Sequence, residues 1–335
     1  MSPAPNAASR MVRSTWKELC RAVPVLRRVD VRSAWIAMTN VLPSNEPWPR
    51  PIPDEFDPVF YRAANKQLAG LSDDEARAHY AETGRAEGLA GSQYALRDGL
   101  LKFARGANSV LEIGPGHRPC FTGPKVRYFD VTDNAGLRAR VAHKPDEHVG
   151  AAPKIVHYVS PTGDLGVVPE TFDVVFSSHA IEHQPDLIRH LQAVRRLLNP
   201  GGAYIALVPD RRYCFDQFQP RSTLGQVIEA FRQERRTHSI ANVIDANILG
   251  THNDPLRHWA GDSPETPLDV RRARHALKTL EQAGGDYLDV HAWRFSSEEM
   301  RDTLNMLRAL DLIAFDAIRV FSTPRDSGEF ALILA

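Results

Sequence analysis

From about residue 93 onward, short apolar runs alternate with segments of helical periodicity, and this alternation limits the chain to a few folds. The runs SVLEI (109–113), VRYFD (126–130), KIVHYV (154–159), FDVVFS (172–177) and AYIALV (203–208) are apolar almost throughout. A strand with one wet face would alternate, so these read as parallel strands buried on both faces. Helical spacing spans 185–198, with Leu187, Leu191, Val194 and Leu197 on one face, and NPGG at 199–202 ends it. Residues 236–290 read as irregular. A helix then opens at Ser296, with Glu299 in capping-box spacing. FDAIRV (315–320) and EFALILA (329–335) read as two last strands joined by a short turn. Five β/α units followed by an antiparallel pair predict an α/β, Rossmann-like, doubly wound sheet of about seven strands with a C-terminal antiparallel hairpin.

Ahead of this domain (93–335) the sequence divides twice. Residues 1–55 combine loose helical spacing (Val12, Trp16, Leu19, Val23, Leu26) with a proline-rich stretch that reads as a semi-rigid linker. A frayed or surface-docked helix fits the first part, and a weak amphipathic contact with anionic lipid is the alternative. Residues 56–92 form a small helical module: Ser72 and Glu75 make a capping box, and Gly84 is placed as the C-cap. The module is too short to bury its own core, so it is expected to dock on its neighbour or on a partner. Lys+Arg and Asp+Glu balance at 41 each, so no overall field favours nucleic acid or a membrane. Three cysteines, Cys20, Cys120 and Cys214, lie too far apart for a disulfide framework and fit a reducing compartment. No apolar run is long enough to span a bilayer. The expectation is a cytoplasmic protein, with peripheral membrane association left open.

In an open α/β sheet, ligands bind beyond the carboxyl ends of the strands. After the first run come Glu112, Gly114 and Gly116, where the two glycines let the backbone approach a ligand closely. The second run ends in Asp130, where this kind of fold places a carboxylate on ribose hydroxyls. The pair points to an adenosine-containing cofactor. A dinucleotide fingerprint would need a third glycine where Pro119 stands, and an acidic residue on the first strand repels pyrophosphate. Glu112 suits a cationic cofactor without phosphate, and S-adenosylmethionine carries a sulfonium and an ammonium.

These segments resemble class I S-adenosylmethionine-dependent methyltransferases. VLEIGPG is similar to their first motif, VRYFD to their ribose strand, FDVVFSSHAIEHQPDL to their fourth strand and LLNPGGAYIALVPD to their fifth, in the same order across 93–335. Arg118 departs from the pattern at the third glycine. The resemblance implies that Ser178 and His179 lie beside the methionine portion of the cofactor, and Asp164 is the candidate for the adenine amino group. SHAIEHQPDL, VPDRRYCFD and DVHAWRF resemble, more narrowly, a bacterial group associated with polysaccharide biosynthesis. The module's pattern FDPxxY…HYxxxGxxEG resembles one accompanying glycosyltransferases, which makes such enzymes candidate partners and a sugar or glycan hydroxyl the expected acceptor.

A hydroxyl acceptor calls for a general base, and the candidates are His183, then His291, then Asp210. His183 follows the fourth strand closely. His291 precedes the helix before the C-terminal strands, from where it can fold over the sheet edge. Glu182 and His183 read alternatively as a first helical turn capping its own backbone, and His291 and Trp293 as satisfied core groups. No His or Cys spacing indicates a metal site, and no nucleophilic triad is present. Two other functions stay open: a non-catalytic cofactor-binding scaffold that recruits glycan enzymes, and an NAD-dependent sugar oxidoreductase.

Overall fold

The computed structural model describes residues 48–141, 153–264 and 268–335. The helical spacing from Val12 to Leu26 and the start of the proline-rich stretch lie outside them. Seven strands form one sheet: β1 (Val110–Ile113), β2 (Val126–Asp130), β3 (Tyr158–Val159), β4 (Phe172–Ser178), β5 (Leu198–Pro209), β6 (Ile318–Phe321) and β7 (Glu329–Leu334). Their order is β3-β2-β1-β4-β5-β7-β6. β1 pairs in parallel with β2 and β4, while β7 runs antiparallel between β5 and β6. The sheet is the expected doubly wound α/β architecture. Its chain order reverses at β1 and β4, and that switch point opens the crevice where such sheets bind ligands.

Both faces are covered, which is why the strand sequences are apolar without alternation. Successive residues point to opposite faces. Leu111, Val175, Tyr204 and Leu332 enter one hydrophobic cluster, and Val110, Val174, Ile205 and Ile333 enter the other. Asp57 caps α1 (Pro58–Ala64), and Ser72 with Glu75 forms the expected capping box of α2 (Asp73–His79). α3 (Arg97–Ala104) leads into β1, and α4 (Asn134–Val141) follows β2. α5 (Leu187–Arg196) joins β4 to β5 and buries Leu187, Leu191 and Val194 on the stripe read from the sequence. Between β5 and β6 come α6 (Leu224–Arg232), α7 (Ile240–Leu249), α8 (Pro255–Trp259), α9 (Val270–Ala283) and α10 (Ser297–Ala309).

Four local readings need correction. The stretch 236–290 holds three helices among its described residues: Ser239, Asp254 and Asp269 cap α7, α8 and α9, and these start signals precede helices whose apolar stripes are short. β3 contracts to Tyr158–Val159, since it is an edge strand with a single partner. Gly84 is no left-handed cap. It is glycine because a Cβ there would sit 2.0 Å from the Tyr61 hydroxyl, whereas Gly88, at φ +74°, is the left-handed residue that closes the module. Finally, the proline-rich stretch, read as a semi-rigid linker, packs against the sheet domain at Trp48. Trp48 lies in the same cluster as Val110 and Phe176, edge-on to Phe103.

The module gathers Tyr61, Leu68, Ala76 and Tyr80 into a separate small cluster. Polar contacts tie it and the preceding segment to the sheet domain: the Arg325 amide donates to the Gly88 carbonyl at 2.7 Å, and Glu55 accepts from the Val320 amide at 2.8 Å and from Arg301 at 2.8 Å.

Candidate active site

The loop after β1 is shaped by two left-handed glycines, Gly114 at φ +67° and Gly116 at φ +54°, a conformation that costs other residues about 1–2 kcal/mol. A Cβ on Gly116 would meet nothing within 4 Å, so this backbone faces open space. Asp130, at the end of the neighbouring strand, is buried, and burial raises its pKa above the ordinary carboxylate range. One of its oxygens accepts a long 3.3 Å bond from the Thr132 amide. A glycine cradle beside a buried carboxylate suits the ribose end of an adenosyl group.

Glu112 turns elsewhere. Its two oxygens accept from the amides of Cys120 and Phe121 at 2.7 and 3.1 Å, and burial pushes its pKa up to about 7. Glu112, expected to meet the cofactor's cationic groups, thus also fixes the loop that follows Gly114 and Gly116. Asp164, the candidate for the adenine amino group, is exposed and caps the short turn Leu165–Val167 with one oxygen, which accepts from the Gly166 amide at 2.8 Å.

Beyond β4 the chain makes an abrupt turn. His179 has a left-handed φ of +53°, rare for a residue with a side chain and worth 1–3 kcal/mol of local strain. Its Nε2 lies 2.7 Å from a Glu329 oxygen at the start of β7. Arg97 donates to both Glu329 oxygens at 2.9 and 2.6 Å and to the Ser178 hydroxyl at 3.2 Å. Ser178 and His179, read as cofactor contacts, thus belong to a network joining α3, β4 and β7. Burial opposes charge on Glu329, but His179 and Arg97 outweigh it and lower its pKa.

The next turn, Ile181–His183, has no side-chain cap, so Glu182 does not serve its own backbone. Its side chain is 1% exposed, and neither carboxylate oxygen has a hydrogen-bond partner. Three imidazoles surround Oε1: His179 Nδ1, His183 Nε2 and His291 Nε2, each at 3.8 Å. His291 reaches this point because the DVHAWRF segment is pinned to the turn. The Glu182 carbonyl accepts from the amides of Ala292 and Trp293 at 2.8 and 3.2 Å, and the Trp293 indole donates to the Gln184 carbonyl at 2.6 Å. The two histidine rings stand perpendicular, 4.7 Å between centroids.

Each ring is also held from behind. His291 Nδ1 lies 2.5 Å from Asp216 Oδ2, and His183 Nδ1 lies 3.0 Å from Asp289 Oδ1. Burial opposes charge on His183, yet Asp289 and Glu182 raise its pKa above the usual value. The adjacent His183 imidazole in turn holds Asp289 down at about 2.

Glu182, His183 and His291 line a cleft of about 910 Å³ that also includes Tyr213, Asn247 and Glu329. The cleft lies past the ends of β4 and β5. Asp210, the third candidate base, does not serve there. Its carboxylate is fully buried, takes two hydrogen bonds from the Arg212 guanidinium at 2.9 and 2.7 Å, and accepts from the Thr323 hydroxyl at 2.5 Å. Arg97, Asp216, Asp289 and Glu329 were not singled out in the sequence. Asp216 ends VPDRRYCFD and Asp289 begins DVHAWRF, so two of the four stood at the margins of segments already marked.

Residues 89–289 match the family model of a methyltransferase domain. No curated protein sequence matches the chain. Among solved structures, the glycopeptide N-methyltransferase MtfA aligns at 21% identity over 30% of this chain and 47% of its own, with a TM-score of 0.22. The DhpI–SAH complex aligns at 14% identity over 83% and 94%, TM-score 0.33. The CcbJ methyltransferase from Streptomyces caelestis aligns at 13% over 77% and 94%, TM-score 0.35. This chain spans about half (47%) of the length of MtfA.

Proposed function

The chain belongs to the methyltransferase-domain family, and on that footing we propose that it transfers a methyl group to a hydroxyl of a sugar or glycan acceptor held in the cleft beyond β4 and β5. The donor is S-adenosylmethionine, which supplies a methyl group made electrophilic by a sulfonium. Gly114 and Gly116 would pass their backbone along it, and Asp130 would accept from its ribose hydroxyls. Transfer is an in-line displacement, so alignment of the two reactants is the protein's main contribution.

The observation that carries the acceptor reading is the convergence of Glu182, His183 and His291 on one wall of the cleft. An amine with a free lone pair attacks without help, but a hydroxyl is a poor nucleophile until its proton is drawn away. A wall of carboxylate and imidazole groups suits the second kind of acceptor. Tyr213, Asn247 and Asn253 add an aromatic face and amide groups to the same cleft, a mixture that fits a polyhydroxylated ring. The resemblance of residues 56–88 to the module that accompanies glycosyltransferases supports the same acceptor class and makes such enzymes the proposed partners.

Calorimetry with S-adenosylmethionine, its demethylated product and NAD tests the cofactor, with binding of the first two and none of NAD expected. Transfer of labelled methyl to a panel of sugar nucleotides and oligosaccharides, set against peptides and free amines, tests the acceptor. Labelling of amines in preference to hydroxyls would overturn it.

A further inference from the structure

We propose that Glu182, His183 and His291 form a binding site for a divalent first-row transition metal ion in the wall of the acceptor cleft. The three side chains present ligand atoms that all lie within 4.8 Å of one another, and Oε1 of Glu182 is 3.8 Å from Nε2 of each histidine. A direct hydrogen bond would need about 2.7–3.2 Å, so these contacts are too long to satisfy the carboxylate. Two ligands bound at about 2.0–2.2 Å to one ion sit roughly 3–3.5 Å apart. The cluster is therefore within a small side-chain adjustment of closing on a cation, and it is too open to close on itself.

Three further features point the same way. Both oxygens of Glu182 are buried without a hydrogen-bond partner, and the imidazoles that face Oε1 stand back at 3.8 Å, a costly arrangement for a carboxylate. His183 Nδ1 lies 3.0 Å from Asp289 in an ion-pair contact without hydrogen-bond geometry, whereas His291 turns Nε2 inward because its Nδ1 is held by the Asp216 carboxylate at 2.5 Å. That carboxylate–histidine arrangement is how metal-binding imidazoles are oriented and made more basic. The site also opens on the cleft, which leaves coordination positions for an oxygen of a small molecule. Two imidazoles and one carboxylate select a borderline transition ion over magnesium or calcium, which prefer all-oxygen sites. His179 Nδ1 is also 3.8 Å from Glu182 Oε1, but it is not among the ligand atoms that all lie within 4.8 Å of one another.

The role of the ion rests on the acceptor reading above. A cation there would bind the acceptor hydroxyl and lower its pKa, so that the proton leaves to water in the cleft as the oxygen takes the methyl group and the demethylated cofactor departs. His183 and His291 then act on the acceptor by holding the ion.

The test is metal binding by the full chain, measured apart from activity. Protein stripped with a chelator is titrated with Zn²⁺, Co²⁺ and Mg²⁺, with bound metal quantified by mass spectrometry and the Co²⁺ complex followed by its visible absorption. One equivalent of Zn²⁺ or Co²⁺ is expected, held at least ~100-fold more tightly than Mg²⁺. Glu182→Gln and His291→Asn are each expected to weaken Zn²⁺ binding ~100-fold or more, while His275→Asn, on the exposed side of α9, leaves it unchanged. Where a ligand variant fails to fold, Asp216→Asn is expected to weaken binding ~10–100-fold by loosening His291. Substoichiometric binding, equal preference for Mg²⁺, or unchanged affinity in the folded variants overturns the site. S-adenosylmethionine binding is measured on the same sample. Cofactor binding without metal removes this proposal alone, and metal binding without cofactor removes the functional reading while the site stands.

Discussion

Asp216 and His291 are 75 residues apart in the chain and meet at 2.5 Å in the wall of the cleft. The contact fixes which nitrogen of His291 carries the proton and turns the other toward Glu182. Asp216→Ala is expected to lower turnover of a sugar acceptor about 10–100-fold with little change in affinity for S-adenosylmethionine. Asp216→Asn keeps an acceptor oxygen and should recover part of the loss. The protected Nδ1 proton of His291 gives a direct readout by NMR and should disappear in the alanine variant. A variant that keeps this signal, or loses only thermal stability, would contradict a positioning role.

Asp130 carries the second expectation. Removing it leaves two ribose hydroxyls without their charged acceptor, which costs on the order of 1.5–3 kcal/mol of binding. Asp130→Ala should therefore raise the calorimetric Kd for S-adenosylmethionine by roughly 10–100-fold. Since burial already disfavours this carboxylate in the free protein, the melting temperature should hold or rise. An unchanged Kd removes Asp130 from the ribose site.

At Gly116 the same cradle is probed from the backbone side. The left-handed φ of +54° means that Gly116→Val pays for strain, and its side chain would project into the open space above the loop. A loss of about 1–2 kcal/mol in stability is expected, together with a larger loss of cofactor affinity. If stability falls but affinity does not, the cofactor passes elsewhere.

His190 sets a pH dependence. It is buried on α5, and burial depresses its pKa to about 4, from 6.5. The unfolded chain takes up this proton near pH 6.5 and the folded chain only near 4. The folded state is therefore destabilised progressively as pH falls through that window, by roughly 3 kcal/mol in total. His190→Leu should flatten the acid limb of the melting-temperature profile between pH 6.5 and 4. Parallel profiles for the two proteins would exclude the assignment.

Glu55 tests how the N-terminal segment is held. One oxygen accepts from the Val320 amide and the other from Arg301, both at 2.8 Å and part-buried. Glu55→Ala is expected to destabilise the protein by about 1–3 kcal/mol, lowering the melting temperature by several degrees without altering cofactor affinity. A silent substitution would mean that the segment is held by Trp48 and its apolar neighbours alone.

The sheet was legible because its information is local. Each parallel strand is an uninterrupted apolar run, since both faces are buried, and Gly114, Gly116 and Asp130 sit at strand ends that the topology brings together. The helices α7, α8 and α9 were not legible from periodicity: α9 buries only Ala276 while Val270 and Leu277 stay exposed, so no broad apolar stripe marks it. The cleft was half legible. His183 and His291 could be chosen by residue type and position, but their carboxylate partners come from separate loops that meet only when the chain folds back. Glu112 and Asp210 were read incompletely for a shared reason. An acidic residue at a strand end reads as a ligand group, and nothing in sequence reveals that Cys120 and Phe121 engage Glu112 or that Arg212 and Thr323 engage Asp210.

The place of β7 sets an order of events. It lies between β5 and β6, antiparallel to both, yet follows both in the chain. During synthesis, β1, β2 and β4 and the glycine cradle emerge well before it. Until β7 arrives, β5 and β6 each present an unpaired edge, the condition in which sheets recruit foreign strands. Glu329, its first residue, is also what Arg97 and His179 hold on to. A nascent chain can thus form β1, β2 and β4 before Glu329 is made, and the closing strand completes both the sheet and the Arg97–Glu329–His179 network in one step.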